Sequence, residues 1–256
     1  MMKLFSRLSV ATFVCIIANS AVAGPVDLSS WLVDGGGSWS LHSTTDPNDS
    51  ATQSSNSIPT VLFNNTDSQG LALSGTIKVE TTSDDDFIGF VLGYDDEDLF
   101  GTNSTTDYIL VDWKQGTQNG WDAGMAISRV TNGPIASSGV DTGSDAWQHT
   151  GNVALIERAA TLGNTGWADH TEYLFEIIFN ATNIQVSVDG VEQFNINGTF
   201  ENGSFGFYNF SQPHVRYAGI TEDIAPSVPE PSAIILMGLG MLGLGLRRKR
   251  INLLAA

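Results

Sequence analysis

An all-β fold, a sandwich or jelly roll of antiparallel strands, is predicted by three features of the sequence. Short strand patterns repeat along the body, separated by clusters of Gly, Asn, Asp and Ser. No long amphipathic helical pattern lies between them, which leaves short connections and antiparallel pairing. The single cysteine, Cys15, sits in an N-terminal apolar stretch, so the body must fold without disulfides on one large core.

The elements follow in order. Lys3 and Arg7 precede an apolar stretch at 8–17, and Ala21-Val22-Ala23 supplies small residues at Ala21 and Ala23 for signal-peptidase cleavage. Residues 1–23 are therefore expected to be a signal peptide, with Gly24 starting the exported body. One domain is expected over 24–221. Residues 34–57, rich in Gly, Ser, Thr, Asp and Asn, read as long loops. Residues 71–80 alternate apolar and polar side chains, as a half-buried strand does. Residues 87–94 are continuously apolar, as expected of a strand covered on both faces. Further strands are expected at 108–114, 173–179, 184–188, 191–196, 204–210 and 215–220. Asp189-Gly190 has the composition of a tight hairpin turn, which needs positive φ. A linker at 222–227 leads into the C-terminal segment.

Charge narrows the function classes. Of 11 Lys and Arg, two lie in the signal peptide and four in the C-terminal block, while all 28 Asp and Glu fall between 24 and 230. The exported body therefore carries five cations against 28 anions, a net charge of −23. Such a body binds neither nucleic acid nor an anionic membrane unaided, and it suits divalent cations.

The C-terminal segment has three parts. Pro229-Glu230-Pro231 lacks two backbone donors and stays extended. Ser232 to Leu246 is apolar, a transmembrane stretch shorter than the ~20 residues of a comfortable span. Arg247, Arg248, Lys249 and Arg250 then hold the cytoplasmic side, with a tail at 251–256. This order over 228–250 resembles the PEP-CTERM sorting signal. The resemblance implies export from a Gram-negative bacterium, transient anchoring in the inner membrane, processing by an exosortase, and final placement at the cell surface or outside.

The middle of the chain resembles the thrombospondin C-terminal domain. The matching pieces are DDFIGFVLGY (85–94), VDWKQGTQNGWD (111–122), WQHTGN (147–152), GWADHTEY (166–173) and GSFGFYNFSQPHVRY (203–217), in the family's order. The resemblance implies an L-type-lectin-like jelly roll with bound calcium, used in adhesion. The chain departs from the animal proteins in lacking their calcium-wire repeats and the cysteine near the domain's end.

Asp84, Asp85 and Asp86 stand at a strand entrance, where adjacent carboxylates and carbonyls suit calcium; a solvated strand cap is the other reading. The resemblance places Asp85 and Asp86 on the family's acidic pair. Asp95, Asp96 and Asp98 form a second acidic cluster past the same strand. Asp112, within a strand, and Asp122, after Trp121, are further metal candidates. A buried Asp112 needs a partner, and Lys114 is expected to supply it. Trp121, Trp147 and Trp167 lie in loop-like stretches, where rings stack on sugars or plug a core. No catalytic residue is expected. The chain lacks a Glu-x-Asp-x-x-Glu strand motif, an H-E-x-x-H helix and a nucleophile elbow, and pairing Asp86 or Asp112 with Glu172 or Glu176 has no basis in spacing.

The expected function is calcium-supported binding or adhesion, to extracellular polysaccharide or surface proteins. A polysaccharide hydrolase on the same fold and a matrix component without a defined ligand are the alternatives.

Overall fold

The computed structural model describes residues 24–43, 48–99, 105–132, 135 and 144–225. The segment expected to be a signal peptide and the sorting segment, with all their named residues, lie outside these. No helix among the described residues is long and apolar enough to cross a membrane.

Among the described residues, fourteen strands form two antiparallel sheets of seven. The first sheet holds β1 (Leu32–Gly35), β4 (Thr60–Phe63), β13 (Ser204–Phe210), β6 (Phe87–Tyr94), β7 (Asp107–Lys114), β8 (Gly124–Thr131) and β9 (Val153–Arg158), in that spatial order. The second holds β12 (Val191–Asn197), β11 (Asn183–Val188), β10 (Glu172–Asn180), β5 (Leu71–Val79), β14 (Val215–Ile224), β3 (Ser50–Gln53) and β2 (Trp39–His42). A short α-helix, α1 (Asp145–Gln148), is capped by the Ser144 side chain, and a 3-10 turn at Leu28–Ser30 by Asp27.

The continuously apolar strands occupy the middle of the first sheet because both of their faces are covered. Ile88, Phe90 and Leu92 of β6 join Val111 and Trp113 of β7 and Phe205 and Phe207 of β13 in the core between the sheets. Phe90 meets Phe175 of the second sheet with ring centroids 4.4 Å apart. The intervening residues, Phe87, Val91, Tyr94, Tyr108, Leu110, Tyr208 and Phe210, build a second core on the outer face of the first sheet, closed by Leu99, Ile135 and Trp147. The second sheet has the simpler alternation of a sheet with one wet face. In β10, Phe175, Ile177 and Phe179 are buried and Glu172, Leu174 and Glu176 are exposed or partly so. Asp189 and Gly190 adopt φ of 50° and 73°, the positive values the hairpin between β11 and β12 requires.

Several stretches differ from expectation: β4, β8 and β9 lie where no strand was expected. Residues 34–57 contain β2 and β3 and the end of β1, not only loops. Ser50, Ala51 and Gln53 are buried because β14 pairs with β3 on one edge, an environment set by distant residues. β14 runs on to Ile224 after a bulge between Ala218 and Thr221, so pairing continues into the segment read as linker.

Candidate functional site: an acidic strand entrance

Asp84, Asp85 and Asp86 lead into β6, and each carboxylate places an oxygen within 4.8 Å of the others. Among the described residues no other group of three or more His, Cys, Asp and Glu does so. The backbone turns here because the Asp85 carbonyl accepts from Gln115 and Gly116 amides at 3.1 and 3.3 Å, while Asp86 N–H donates to Gln212 Oε1 at 3.0 Å. A Cβ at Gly116 would lie 2.1 Å from Asp85 Oδ2, so a side chain there would displace that carboxylate.

The three carboxylates have unequal surroundings. Asp86 is buried and bonded to Lys114 Nζ. That ammonium is itself fully buried. It also donates to the Asp85 carbonyl at 3.3 Å and Gln118 Oε1 at 3.1 Å, and it lies 4.7 Å from the Trp147 ring centroid. Asp84 and Asp85 are only partly buried. Burial, and then the negative charge of Asp86, push the Asp84 carboxyl up to about 6. The ammonium thus pairs with Asp86 and stands 3.6 Å from Asp85 Oδ1, while Asp84 accepts from the Asn56 amide and has no cationic partner among the described residues. Calcium–oxygen bonds of ~2.3–2.6 Å allow two oxygens on one ion to stand this far apart, so the donor set fits a hard cation.

Other candidate residues fall elsewhere. Asp112 is buried and pairs with His149, not Lys114; His149 Nε2 lies 2.9 Å from Asp112 Oδ2 and Nδ1 lies 3.0 Å from Ser128 Oγ. The reason is directional. Lys114 is two residues along the same strand face and extends toward the strand entrance, while His149, left-handed at the end of α1, drops onto Asp112. Asp112 is therefore a structural anchor outside the metal cluster. Asp122 is exposed and also outside it, 3.5 Å from Thr117 Oγ1. Asp98 is buried, accepting from Asp95 N–H at 3.1 Å and Thr106 Oγ1 at 2.9 Å, whereas Asp95 and Asp96 are exposed. Those three cap a turn and do not converge.

The tryptophans are packed. Trp147 is 1% exposed with its edge on Phe87 and Phe210, and Trp167 is 2% exposed and donates to the Asp86 carbonyl. Neither presents a face to solvent, so of the two readings, sugar platform or core plug, both rings take the second here. Trp121 is partly exposed but sandwiched, His149 stacking at 3.8 Å and Arg158 standing 5.0 Å from its ring. The carboxylates set aside for catalysis are also separated. Asp112 lies on the outer face of the first sheet, and Glu172 and Glu176 lie on the outer face of the second, with the inter-sheet core between.

The thrombospondin C-terminal region matches residues 38–224, and the PEP-CTERM protein-sorting motif matches 227–250. That motif marks an exported protein. Thrombospondin-2 of Gallus gallus is 30% identical over 184 residues, covering 66% of this chain and 15% of that protein. Thrombospondin-3 of Homo sapiens is 26% identical over 200 residues, covering 70% and 20%. The chain thus spans a fifth or less of the length of these two relatives. Among solved structures, the carbohydrate binding module CBM66 from Bacillus subtilis superposes with a TM-score of 0.52 at 10% identity, covering 76% of this chain and 95% of that one, a likeness of fold. With the acidic turn into β6, the Lys114 beneath it and a two-sheet sandwich all in the matched span, the chain belongs to the thrombospondin C-terminal region family.

Proposed function

We propose that this exported chain is a calcium-supported binding module of the cell surface or extracellular matrix, directed to secreted polysaccharide. The observation that carries the calcium half is the crowding at Asp84–Asp86, where three carboxylates converge and the single buried ammonium pairs with only Asp85 and Asp86. Asp84 and Asp85 would hold the ion, with Asp86 kept by Lys114. The ion would neutralise the outer pair and tie the entrance of β6 to the loop after β7. Polysaccharide as ligand is supported by the sandwich fold shared with a carbohydrate binding module and by sorting to the exterior. Weak, repeated contacts to a polymer add by avidity, so a module on a surface needs no tight single site.

A glycan array probed with and without EDTA, beside a reducing-sugar release assay, tests the reading. Calcium-dependent retention without sugar release supports it. Steady release of oligosaccharides would show a hydrolase instead, and no retention of any glycan would leave a matrix component without a defined ligand.

A further inference from the structure

The outer face of the second sheet carries a groove along β5. Ala72, Ser74 and Thr76 point outward between buried Leu73 and Ile77, and their small side chains form its floor. Strand register sets the walls. Ile178, Glu176 and Leu174 of β10 stand opposite Ala72, Ser74 and Thr76 on one side. Asp223, Thr221 and Ala218 of β14 stand opposite the same three on the other. Two hollows of about 500 and 310 Å³ share Ser74 and Thr221, so they form one trough. The larger lies in the ~300–1,000 Å³ range of ligand pockets. At one end, Arg216 reaches from β14 to Glu172 of β10 at 3.2 Å and closes the trough with an ion pair across β5.

We infer that this trough is the glycan-binding site and that it takes a neutral polysaccharide chain. The inference rests on the polysaccharide reading above and gives it a place and a ligand class. No cationic side chain lines the larger hollow; its polar groups are the Glu176 and Asp223 carboxylates, the Gln185 amide and the hydroxyls of Ser74, Ser187 and Thr221. Ionised carboxylates only accept hydrogen bonds, and sugar hydroxyls donate them, so the fit is charge-assisted without a charged ligand. A uronate chain would meet two like charges at the floor's edges. An extended peptide finds no main-chain partners here, because β10, β5 and β14 are each paired on both edges. Among the described residues, nothing covers the trough, whereas the outer face of the first sheet is filled by its second core.

The test uses the full-length chain, calcium-saturated, in isothermal titration against neutral glucan, mannan and galactan oligosaccharides. An oligogalacturonate of equal length and oligolysine serve as charged probes. At least one neutral oligosaccharide binds, Glu176→Gln and Asp223→Asn each weaken it roughly tenfold, and Ser74→Trp abolishes it by filling the floor. Glu157→Gln, exposed on β9 of the other sheet, leaves it unchanged. Equal melting temperatures for all variants exclude unfolding as the cause. Neutral binding that survives Ser74→Trp overturns the site while leaving polysaccharide recognition standing. Absence of all neutral binding overturns both. Tighter binding of the uronate, or Ser74-dependent capture of oligolysine in place of sugar, overturns the ligand class.

Discussion

Lys114 is the residue on which the acidic entrance depends. Its ammonium is fully buried and bonded to Asp86, which is itself almost fully buried. Removing one partner of a buried pair leaves the other uncompensated, at a cost of roughly 3–5 kcal/mol. Lys114→Met should therefore lower unfolding free energy by about that amount, whereas the double change Lys114→Met with Asp86→Leu should recover much of it; urea denaturation of the three proteins checks this. Asp84 provides the pH dependence. Its folded value of about 6 lies above the ordinary 3.8, so between those values the folded state binds more protons than the unfolded state. Stability of the ion-free protein should thus rise as pH falls from 6 toward 3.8, and Asp84→Asn should flatten that slope. Protons and calcium compete for the same carboxylate, so apparent calcium affinity should fall below pH 6 in parallel titrations. The Asp triplet was legible in sequence because its members are adjacent. The pairing of Lys114 with Asp86, and of His149 with Asp112, was not, because each joins residues 28 and 37 positions apart through packing that no local pattern encodes.

At the scale of elements, hydrophobic period separates what could be read from what could not. β6 and β13 were read at their observed bounds because unbroken apolar runs have one favourable place, the middle of a sheet buried on both sides. β1, β2, β3, β4, β8 and β9 escaped notice. β9 shows four successive exposed residues, and β2 three, so neither has an alternation to detect. They are strands because a neighbour offers an edge, β8 in one case and β3 in the other. The same logic explains Trp147 and Trp167. Their flanking Gly, Asp and His residues suggested loops, but Trp147 sits in α1, and both segments fold back onto the sandwich and bury the rings. Phe90 tests the central packing, since its ring touches Phe175 across the sandwich and Phe205 beside it. Phe90→Ala should cost about 3–5 kcal/mol, from lost transfer energy and the cavity left behind. A change below about 1 kcal/mol in denaturant unfolding would show that this contact does not organise the core.

For the molecule as a whole, charge and covalent structure set the problem that a bound ion would solve. Residues 24–230 hold no cysteine and carry 28 acidic against five basic residues, so self-repulsion opposes the compact state without a disulfide to limit the unfolded one. Many of their few cations are already engaged: Lys114 with Asp86, Arg129 with Asp107, and Arg216 with Glu80 and Glu172. Added cation is then the remaining source of neutralisation, and Asp84–Asp86 is where the described carboxylates converge. A ligand that binds only the folded state stabilises it by RT ln(1 + [L]/Kd), roughly 2.7 kcal/mol at about 100 times Kd. Millimolar calcium should accordingly raise the melting temperature of EDTA-treated protein. Magnesium at the same concentration should do less, because it holds its water and demands a near-octahedral site. The comparison must be made at constant ionic strength, since screening alone relieves part of the repulsion and acts equally for both ions. Asp84→Asn with Asp85→Asn should remove the difference between calcium and magnesium while leaving the common screening effect. If the double variant still melts higher in calcium than in magnesium, the ion binds somewhere other than the entrance to β6.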